Sequence, residues 1–260
     1  MGVCNSQKTV KKDDYMYHFF VDNNNISDKE IIITGSDVNH IKNVLRLREN
    51  DKILISDGQG SDFYCIISEI NNEEIVTTIE SRLEESNELP SKIYLFQGLP
   101  KNDKMELIIQ KAVELGAYEI IPVAMKNCVV KLDSKKETSK LKRWEAIAES
   151  AAKQSKRCII PSIHNVLNFK QAIEYASELD INIVPYENQK GIDETRRVVD
   201  SIEPGQSIGI FIGPEGGFDE KEIEYAISQS FIPLTLGRRI LRTETAGLAM
   251  LSILMYNLDR

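Results

Sequence analysis

The chain has 260 residues, of which 42% are hydrophobic and 28% charged, a composition typical of a soluble globular protein with one large or two small domains. Its formal net charge of −8 argues against nucleic-acid binding over the whole surface, and no apolar run approaches the roughly 20 residues of a membrane span. Four scattered cysteines without a CxxC pair and three dispersed histidines argue against a metal site or a disulfide framework, so a reducing cytoplasm is the expected setting.

The first predicted segment, residues 1–15, is polar, and we expect it to be a disordered leader. Its opening "MGVCNS" matches the N-myristoylation pattern, although patterns this short also occur by chance. No apolar core of a signal peptide follows, so we do not expect secretion.

Residues 16–84 predict a small β-barrel domain. Short runs rich in β-branched and aromatic residues, such as "YHFFV", "EIIIT" and "KILISD", predict about five strands, and "NNE" between two of the runs indicates a hairpin. One helix is predicted over "SDVNHIKNVLRL", with Ser36 as its cap and an apolar face formed by Val38, Ile41, Val44 and Leu45.

A charged, proline-ended stretch, "EESNELP", predicts a linker that we place at residues 85–91. From residue 92 to 260, strands such as "KIYLFQG", "YEIIPV", "INIVPY", "SIGIFIG" and "FIPLTL" alternate with helical patterns. One helix is expected to begin at an Asn/Asp cap and end at Gly116, and another to run through Trp144, a core anchor, to Lys156. This alternation predicts an α/β fold with a parallel sheet covered on both faces.

Two loops of this second domain carry unusual residues. "GPEGGFDEKEIE" (213–224) follows a strand; its glycines permit close approach of a ligand, and Asp219 with Glu222 resembles a capping box. Glycine density is equally typical of a tight strand-to-helix turn, and neither the GxGxxG nor the Walker spacing is present.

The other loop is "LGRRILRTETAGLAML" (236–251), directly before the last helix. Thr243 suits a helix cap, and Glu244 complements the helix dipole. Neither role explains Arg238, Arg239 and Arg242, because cations are unfavourable at a helix N-terminus. We interpret them as ligands for phosphate or another anion.

Residues 126–157 are locally basic, with ten lysines and arginines against four aspartates and glutamates. Such a stretch is typical of a phosphate-binding surface and also of a solvated helix face, and the sequence leaves both interpretations open.

"GPEGGF" followed by "LGRRILRTETAGLA" resembles the RsmE family of the SPOUT superfamily, ribosomal RNA methyltransferases that use S-adenosylmethionine. "HIKNVLRLREND" (40–51), "LPKNDKMELIIQKAVELGA" (99–117), "IIP" (120–122) and "RWEAIAESAAKQSKR" (143–157) match the same family in order. The resemblance implies a PUA-like RNA-binding barrel at 16–84 and a SPOUT methyltransferase domain at 92–260, with a C-terminal trefoil knot. It also implies a cytoplasmic homodimer that methylates N3 of a specific uridine in 16S rRNA of the small ribosomal subunit.

Residue roles follow from the same resemblance. The cofactor-binding residues it implies are Tyr186, Glu187, Gly213, Pro214, Glu215, Gly216, Gly217, Leu236, Gly237, Ile240, Leu241, Thr243 and Ala246. Arg242 would hold the substrate phosphate or stabilise negative charge on uracil; Glu244 would orient Arg242, assist deprotonation, or only complement the helix dipole. The expected RNA contacts are His40, Lys42, Arg46, Arg48, Lys126, Lys131, Arg143, Lys153, Lys156, Arg157 and Arg239. The four of the barrel helix, His40 to Arg48, are also typical of a solvated helix face, and the sequence leaves that interpretation open. Asn127 stands where the family usually has arginine, which puts one contact in doubt.

Two other classes stay open. A nucleotide-dependent metabolic enzyme would carry a glycine fingerprint after its first strand, but "FQGLPKNDK" has one glycine. A catalytically inactive, RNA-binding SPOUT-like protein would bind RNA without S-adenosylmethionine; the intact "GPEGG" and "RTETA" favour the enzyme.

Overall fold

The computed structural model describes residues 17–83, 86–186 and 191–259. The chain divides into two compact units, one formed by the described residues up to Asn87 with Lys156–Ile159, the other by Glu88–Ser155 and the residues from Ile160 onward. The whole predicted leader, residues 1–15, and Glu187 lie outside the described residues.

The first unit is built on a curled, half-barrel sheet. Its strands are β1 (His18–Phe20), β2 (Glu30–Thr34), β3 (Lys52–Ser56), β4 (Asp62–Ile70) and β5 (Glu74–Arg82). Their spatial order is β1-β3-β4-β5-β2; β1 runs parallel to β3, and the other pairs are antiparallel. Because side chains alternate along a strand, every second residue enters one core, which includes Ile31, Ile33, Ile53, Ile55, Cys65 and Ile67.

The helix predicted over 36–47 is only partly right. A short helix α1 (Ser36–Asn39) passes into a π-helical turn (His40–Leu45), and its N-cap is Gly35, whereas Ser36 lies inside the helix. The wider π turn changes the register of the side chains, so Ile41 is fully buried while Val44 is 63% exposed.

The second unit contains the parallel sheet that the alternating pattern predicts, which confirms the fold class. Its strands are β6 (Lys92–Gly98), β7 (Ala117–Ala124), β8 (Ser162–Ile163), β9 (Leu167–Asn168), β10 (Ile181–Pro185), β11 (Ser207–Ile212) and β12 (Ile232–Leu234). The order is β12-β10-β11-β6-β7-β8, with β9 also beside β7, and every pairing is parallel. The central strands are almost wholly buried, as expected of a sheet covered on both faces.

In the described part of this unit, six helices accompany the sheet: α2 (Lys104–Glu114), α3 (Ser134–Ser155), α4 (Phe169–Ala176), α5 (Ile192–Asp200), α6 (Glu220–Ser228) and α7 (Thr243–Leu258). Gly116 follows the end of α2 with φ +88°, and Trp144 is buried in α3, as predicted. The capping box of Asp219 and Glu222 at α6 is confirmed, whereas Asp103 occupies the N-cap of α2 without a side-chain hydrogen bond. Within the described residues, no helix has the length and apolarity needed to cross a bilayer.

Candidate active site

A cleft of about 500 Å³ lies at the carboxyl ends of β10, β11 and β12, beside the end of β6. Residues 212–218, 235–243, 185–186, Lys104 and Ala246 line it. Ligands of parallel α/β sheets bind at this edge, because the loops that follow the strands converge there. All predicted cofactor-binding residues in the described part of the chain line the cleft, as do Arg239 and Arg242; Glu244 is not among its lining residues.

The first wall of the cleft is the glycine loop, residues 213–217. The Gly217 N–H donates to the Pro214 carbonyl over 2.9 Å, and Gly217 adopts φ +68°, a conformation that favours glycine. Gly98 at the end of β6 packs directly against this loop, since a Cβ atom there would lie 2.7 Å from Pro214 N. The backbone of the loop at Pro214 therefore lies directly against the backbone of β6 at Gly98.

Asn127 also supports this loop. Its amide Nδ2 donates to the carbonyls of Gly216 and Gly217 at 3.3 and 3.2 Å. Next to it, the Lys126 N–H donates to Glu222 over 2.9 Å, and its ammonium pairs with Asp219 over 2.6 Å. The hydrogen bond to Asp219 raises the pKa of Lys126. The structure thus gives Asn127 a scaffold contact that its sequence position did not reveal.

The second wall, residues 235–243, is tied down near its start. The Thr195 hydroxyl donates to the Thr235 carbonyl over 2.8 Å and accepts from the Thr235 N–H over 3.2 Å. The Thr235 hydroxyl in turn accepts from the Gly237 N–H over 3.2 Å, and Gly237 adopts φ +113°. The Tyr186 N–H donates to the Leu234 carbonyl over 2.9 Å, which aligns the third loop with the second.

Thr243 joins the two walls, and the prediction that it caps the last helix is wrong. The N-cap of α7 is Arg242, and Thr243 is its first helical residue. The Thr243 hydroxyl donates to the Gly213 carbonyl over 2.7 Å and accepts from Gln97 Nε2 over 2.8 Å. Gln97 belongs to β6 and Gly213 directly follows the neighbouring strand β11, so the buried hydroxyl connects the start of α7 to the ends of these two strands.

Replacement of Thr243 by valine is expected to lower the free energy of unfolding by about 1–3 kcal/mol, because it removes both hydrogen bonds of the buried hydroxyl and leaves the partly buried Gly213 carbonyl without this donor. Thr243→Ser keeps the hydroxyl, so its free energy of unfolding should fall much less. Urea denaturation of the two variants measures the difference; equal losses would contradict the bridging role of this hydroxyl.

Lys104, which the sequence analysis missed, is the centre of an ion-pair cluster at the cleft. Its ammonium lies 3.1 Å from Glu215 Oε1 and 3.2 Å from Glu244 Oε2. Glu244 therefore contacts Lys104 and not Arg242, the residue it was expected to orient. Lys104 is the first residue of α2, where a positive charge interacts unfavourably with the helix dipole. The same argument singled out the three arginines before α7 and could have identified Lys104.

The three arginines of the second wall form an exposed rim. Arg238, Arg239 and Arg242 all line the cleft and are exposed, and none has an ion-pair partner within the described residues. Ile240 between them is 82% exposed. Arginine guanidinium groups bind phosphate through two parallel hydrogen bonds, so this rim is suited to a phosphate group.

The predicted RNA contacts of the first unit cluster around its π-helical turn. His40, Arg46 and Arg48 are exposed, and the Lys42 ammonium donates to Asn72 Oδ1 over 2.6 Å. Arg46 ends the turn with φ +56°, so these groups do not share one regular helix face.

The basic residues within 126–157 differ in their exposure and in their ion pairs. Lys131 and Lys156 are exposed, whereas Arg143 makes an ion pair of 2.7 Å with Glu106, and Lys153 pairs with Glu149 over 3.0 Å. Arg157 is only 4% exposed, and this burial corrects the expectation of a surface contact there.

Comparison with known proteins agrees with this geometry. The sequence model of the family described as RNA methyltransferase domain matches residues 87–255. The sequence model of the RNA methyltransferase PUA domain matches residues 33–80. These two matches define an RNA methyltransferase with a PUA domain, as predicted.

The chain is 40% identical to ribosomal RNA small subunit methyltransferase E of Bacillus subtilis (strain 168), over 87% of this chain and 90% of the relative. The protein of the same name from Mesomycoplasma hyopneumoniae (strain 232) is 36% identical over 91% and 98%. A crystal structure of ribosomal RNA small subunit methyltransferase E from Neisseria gonorrhoeae bound to S-adenosyl methionine aligns with a TM-score of 0.79 at 29% identity, covering 93% of this chain and 98% of that one. The chain belongs to the ribosomal RNA small subunit methyltransferase E family.

Proposed function

We propose that this chain methylates N3 of a uridine in 16S rRNA of the small ribosomal subunit, with S-adenosylmethionine bound in the cleft. The observation that carries the proposal is the cleft itself. Its two loops, residues 213–217 and 235–243, are joined by the hydrogen bond from Thr243 to Gly213 and lie with the arginine rim at the carboxyl edge of a parallel sheet. The family membership supports the reaction and the substrate class.

The cleft fits an adenosine-containing cofactor. Its volume of about 500 Å³ lies within the range of ligand pockets, roughly 300–1,000 Å³. Glycines in both walls leave backbone N–H and C=O groups accessible, while Leu236, Ile240 and Leu241 offer apolar surface for a purine. When bound, the cofactor supplies a methyl group activated by its sulfonium. Because the loops are already fixed, binding requires little further ordering.

Arg242 is the proposed catalytic residue. It lies on the cleft, is exposed, and has no carboxylate partner within the described residues, so its guanidinium is available to substrate. There it would hold the phosphate of the target nucleotide, or stabilise the charge that develops on uracil when the N3 proton is lost. Glu244 is engaged by Lys104, which favours a positioning role for its carboxylate over proton abstraction.

RNA binding is proposed to use basic groups of both units. His40, Lys42, Arg46 and Arg48 would serve in a PUA-like domain at 16–84, and Lys131, Lys156 and Arg239 would supply further phosphate contacts. Lys126, Arg143 and Lys153 would have to exchange a carboxylate for a phosphate, which lowers their net contribution.

The remaining features are proposed from the family. The methyltransferase domain, residues 92–260, would form a trefoil knot through which α7 is threaded, with Glu187 completing the third loop. Two chains would form a cytoplasmic homodimer, and the exposed Ile253 and Tyr256 on α7 would supply apolar surface for that interface.

The test supplies isotopically labelled S-adenosylmethionine to small subunits isolated from a strain that lacks the enzyme. We expect label in one uridine of 16S rRNA, mapped to N3 by mass spectrometry of nucleosides and fragments. RNA binding without transfer of label would instead favour the catalytically inactive alternative.

A further inference from the structure

A groove lies between α2 and α3, and in the described part of the chain it shares none of its lining residues with the cleft. Its volume is about 430 Å³, within the range of ligand pockets, roughly 300–1,000 Å³. The groove is therefore large enough to take a ligand group of its own.

The groove presents hydrogen-bonding side chains that are not used within the protein. Gln110 on α2 and Gln154 on α3 line it, one from each helix, and both are exposed. Neither amide has a hydrogen-bond partner among the described residues. Each amide offers two N–H donors and one carbonyl acceptor, and the exposed Ser150 on α3 adds a hydroxyl. The groove can therefore bind a group that has both donors and acceptors along its edge.

The other lining residues show that this group is neutral and partly apolar. Lys111 and Glu114, the charged residues of the groove within the described ranges, pair with each other over 2.8 Å, so their charges balance. Ile147 and Ala151 supply apolar surface. A phosphate or carboxylate would meet no unpaired cation here. A nucleobase combines flat apolar faces with an edge of donors and acceptors, and glutamine is a side chain that pairs with such edges.

The groove lies close to the cleft along α2. Lys104, at the start of this helix, lines the cleft, and Gln110 follows it by six residues, about 9 Å along the helix axis. Between these two positions, the Arg143 guanidinium on α3 pairs with Glu106 on α2 over 2.7 Å. One segment of RNA can therefore reach both the cleft and the groove.

We propose that the α2–α3 groove binds the base of an unpaired nucleotide of the RNA substrate, close in sequence to the uridine that is methylated. Ile147 and Ala151 pack against this base, and the amides of Gln110 and Gln154 bond to its edge. Unpaired bases are the part of a folded RNA that proteins recognise by sequence, whereas phosphate contacts carry no sequence information. The assignment rests on the proposed function and adds to it a second point of substrate recognition.

Steady-state methylation of small subunits tests the role of the two amides. Gln110→Met and Gln154→Met keep the length and helix propensity of the side chain but remove its donors and its carbonyl acceptor. Each variant should raise the KM for small subunits about 3- to 10-fold, the effect of losing one neutral hydrogen bond, and leave kcat within about twofold. The affinity for S-adenosylhomocysteine, the demethylated cofactor, should not change in calorimetry.

Gln229→Met is the matched control for the two variants. Gln229 is an exposed glutamine at the end of α6, outside the lining of both the groove and the cleft. Its replacement should leave KM, kcat and the affinity for S-adenosylhomocysteine unchanged.

Cross-linking identifies what occupies the groove. The photoreactive amino acid p-benzoylphenylalanine, placed at position 150, should cross-link on irradiation to a nucleotide of 16S rRNA close in sequence to the methylated uridine. Unchanged KM in both glutamine variants, or cross-links to a second copy of this chain or to a ribosomal protein, would overturn the assignment. Failure of the unsubstituted chain to transfer a methyl group would contradict the proposed function itself, so the two failures are distinguishable.

Discussion

Replacement of Arg242 by alanine is expected to slow methyl transfer by about 100- to 1,000-fold, the usual cost of losing one group that stabilises developing charge. The affinity for S-adenosylhomocysteine should change only several-fold, because the guanidinium is exposed at the rim and the cofactor loops are held by other contacts. Single-turnover transfer to small subunits measures the rate, and calorimetry measures the affinity.

Arg197→Ala is the matched control for this experiment. Arg197 is an exposed arginine on α5 whose partner is Glu194, 2.9 Å away on the same helix, and it lies outside the cleft lining. Replacement of Arg197 should leave the rate of methyl transfer and the affinity for S-adenosylhomocysteine unchanged. If Arg242→Ala reduces transfer and cofactor affinity by the same factor, Arg242 belongs to cofactor binding and the catalytic assignment fails.

Replacement of Gly98 by alanine is expected to destabilise the chain by about 1–3 kcal/mol and to weaken cofactor binding at least about tenfold. The new Cβ would lie 2.7 Å from the nitrogen and 2.8 Å from the Cδ of Pro214, distances that only a backbone shift can relieve. Any shift displaces the glycine loop, residues 213–217, from its place in the cleft wall. Urea denaturation and calorimetry with S-adenosylhomocysteine measure the two effects.

Gly247→Ala provides the contrast. Gly247 lies in α7, and a Cβ atom there would meet its nearest neighbours at 3.6–3.7 Å, ordinary van der Waals distances. Alanine is also the better helix former, so the free energy of unfolding should stay the same or rise by up to about 1 kcal/mol. A Gly98→Ala variant with full cofactor affinity would show that the contact with Pro214 does not position the loop.

The sequence predicted those parts of the fold that depend on local patterns. Alternating strands and helices indicated the parallel sheet, and the spacing of Asp219 and Glu222 indicated their capping box, because both signals act over a few residues. The π-helical turn was missed, since a change in helical register leaves no mark in the hydrophobic pattern, and Val44 was placed on the wrong face.

The site was predictable as a set of loops but not as a network of contacts. Thr243 reads locally as a helix cap, yet its partners Gly213 and Gln97 are 30 and 146 residues away. Lys104 meets Glu215 and Glu244 over more than a hundred residues, and no local pattern reports such a pairing. The unfavourable position of a lysine at the start of α2 is the signal that could have indicated a function for Lys104.

A crystal structure of this chain with S-adenosylhomocysteine is the direct test of whether the cleft is the cofactor site. We expect the adenosine between residues 213–217 and 236–243, the two loops that line the cleft. A ligand bound elsewhere on the chain, with the space between those two loops filled by side chains, would contradict it.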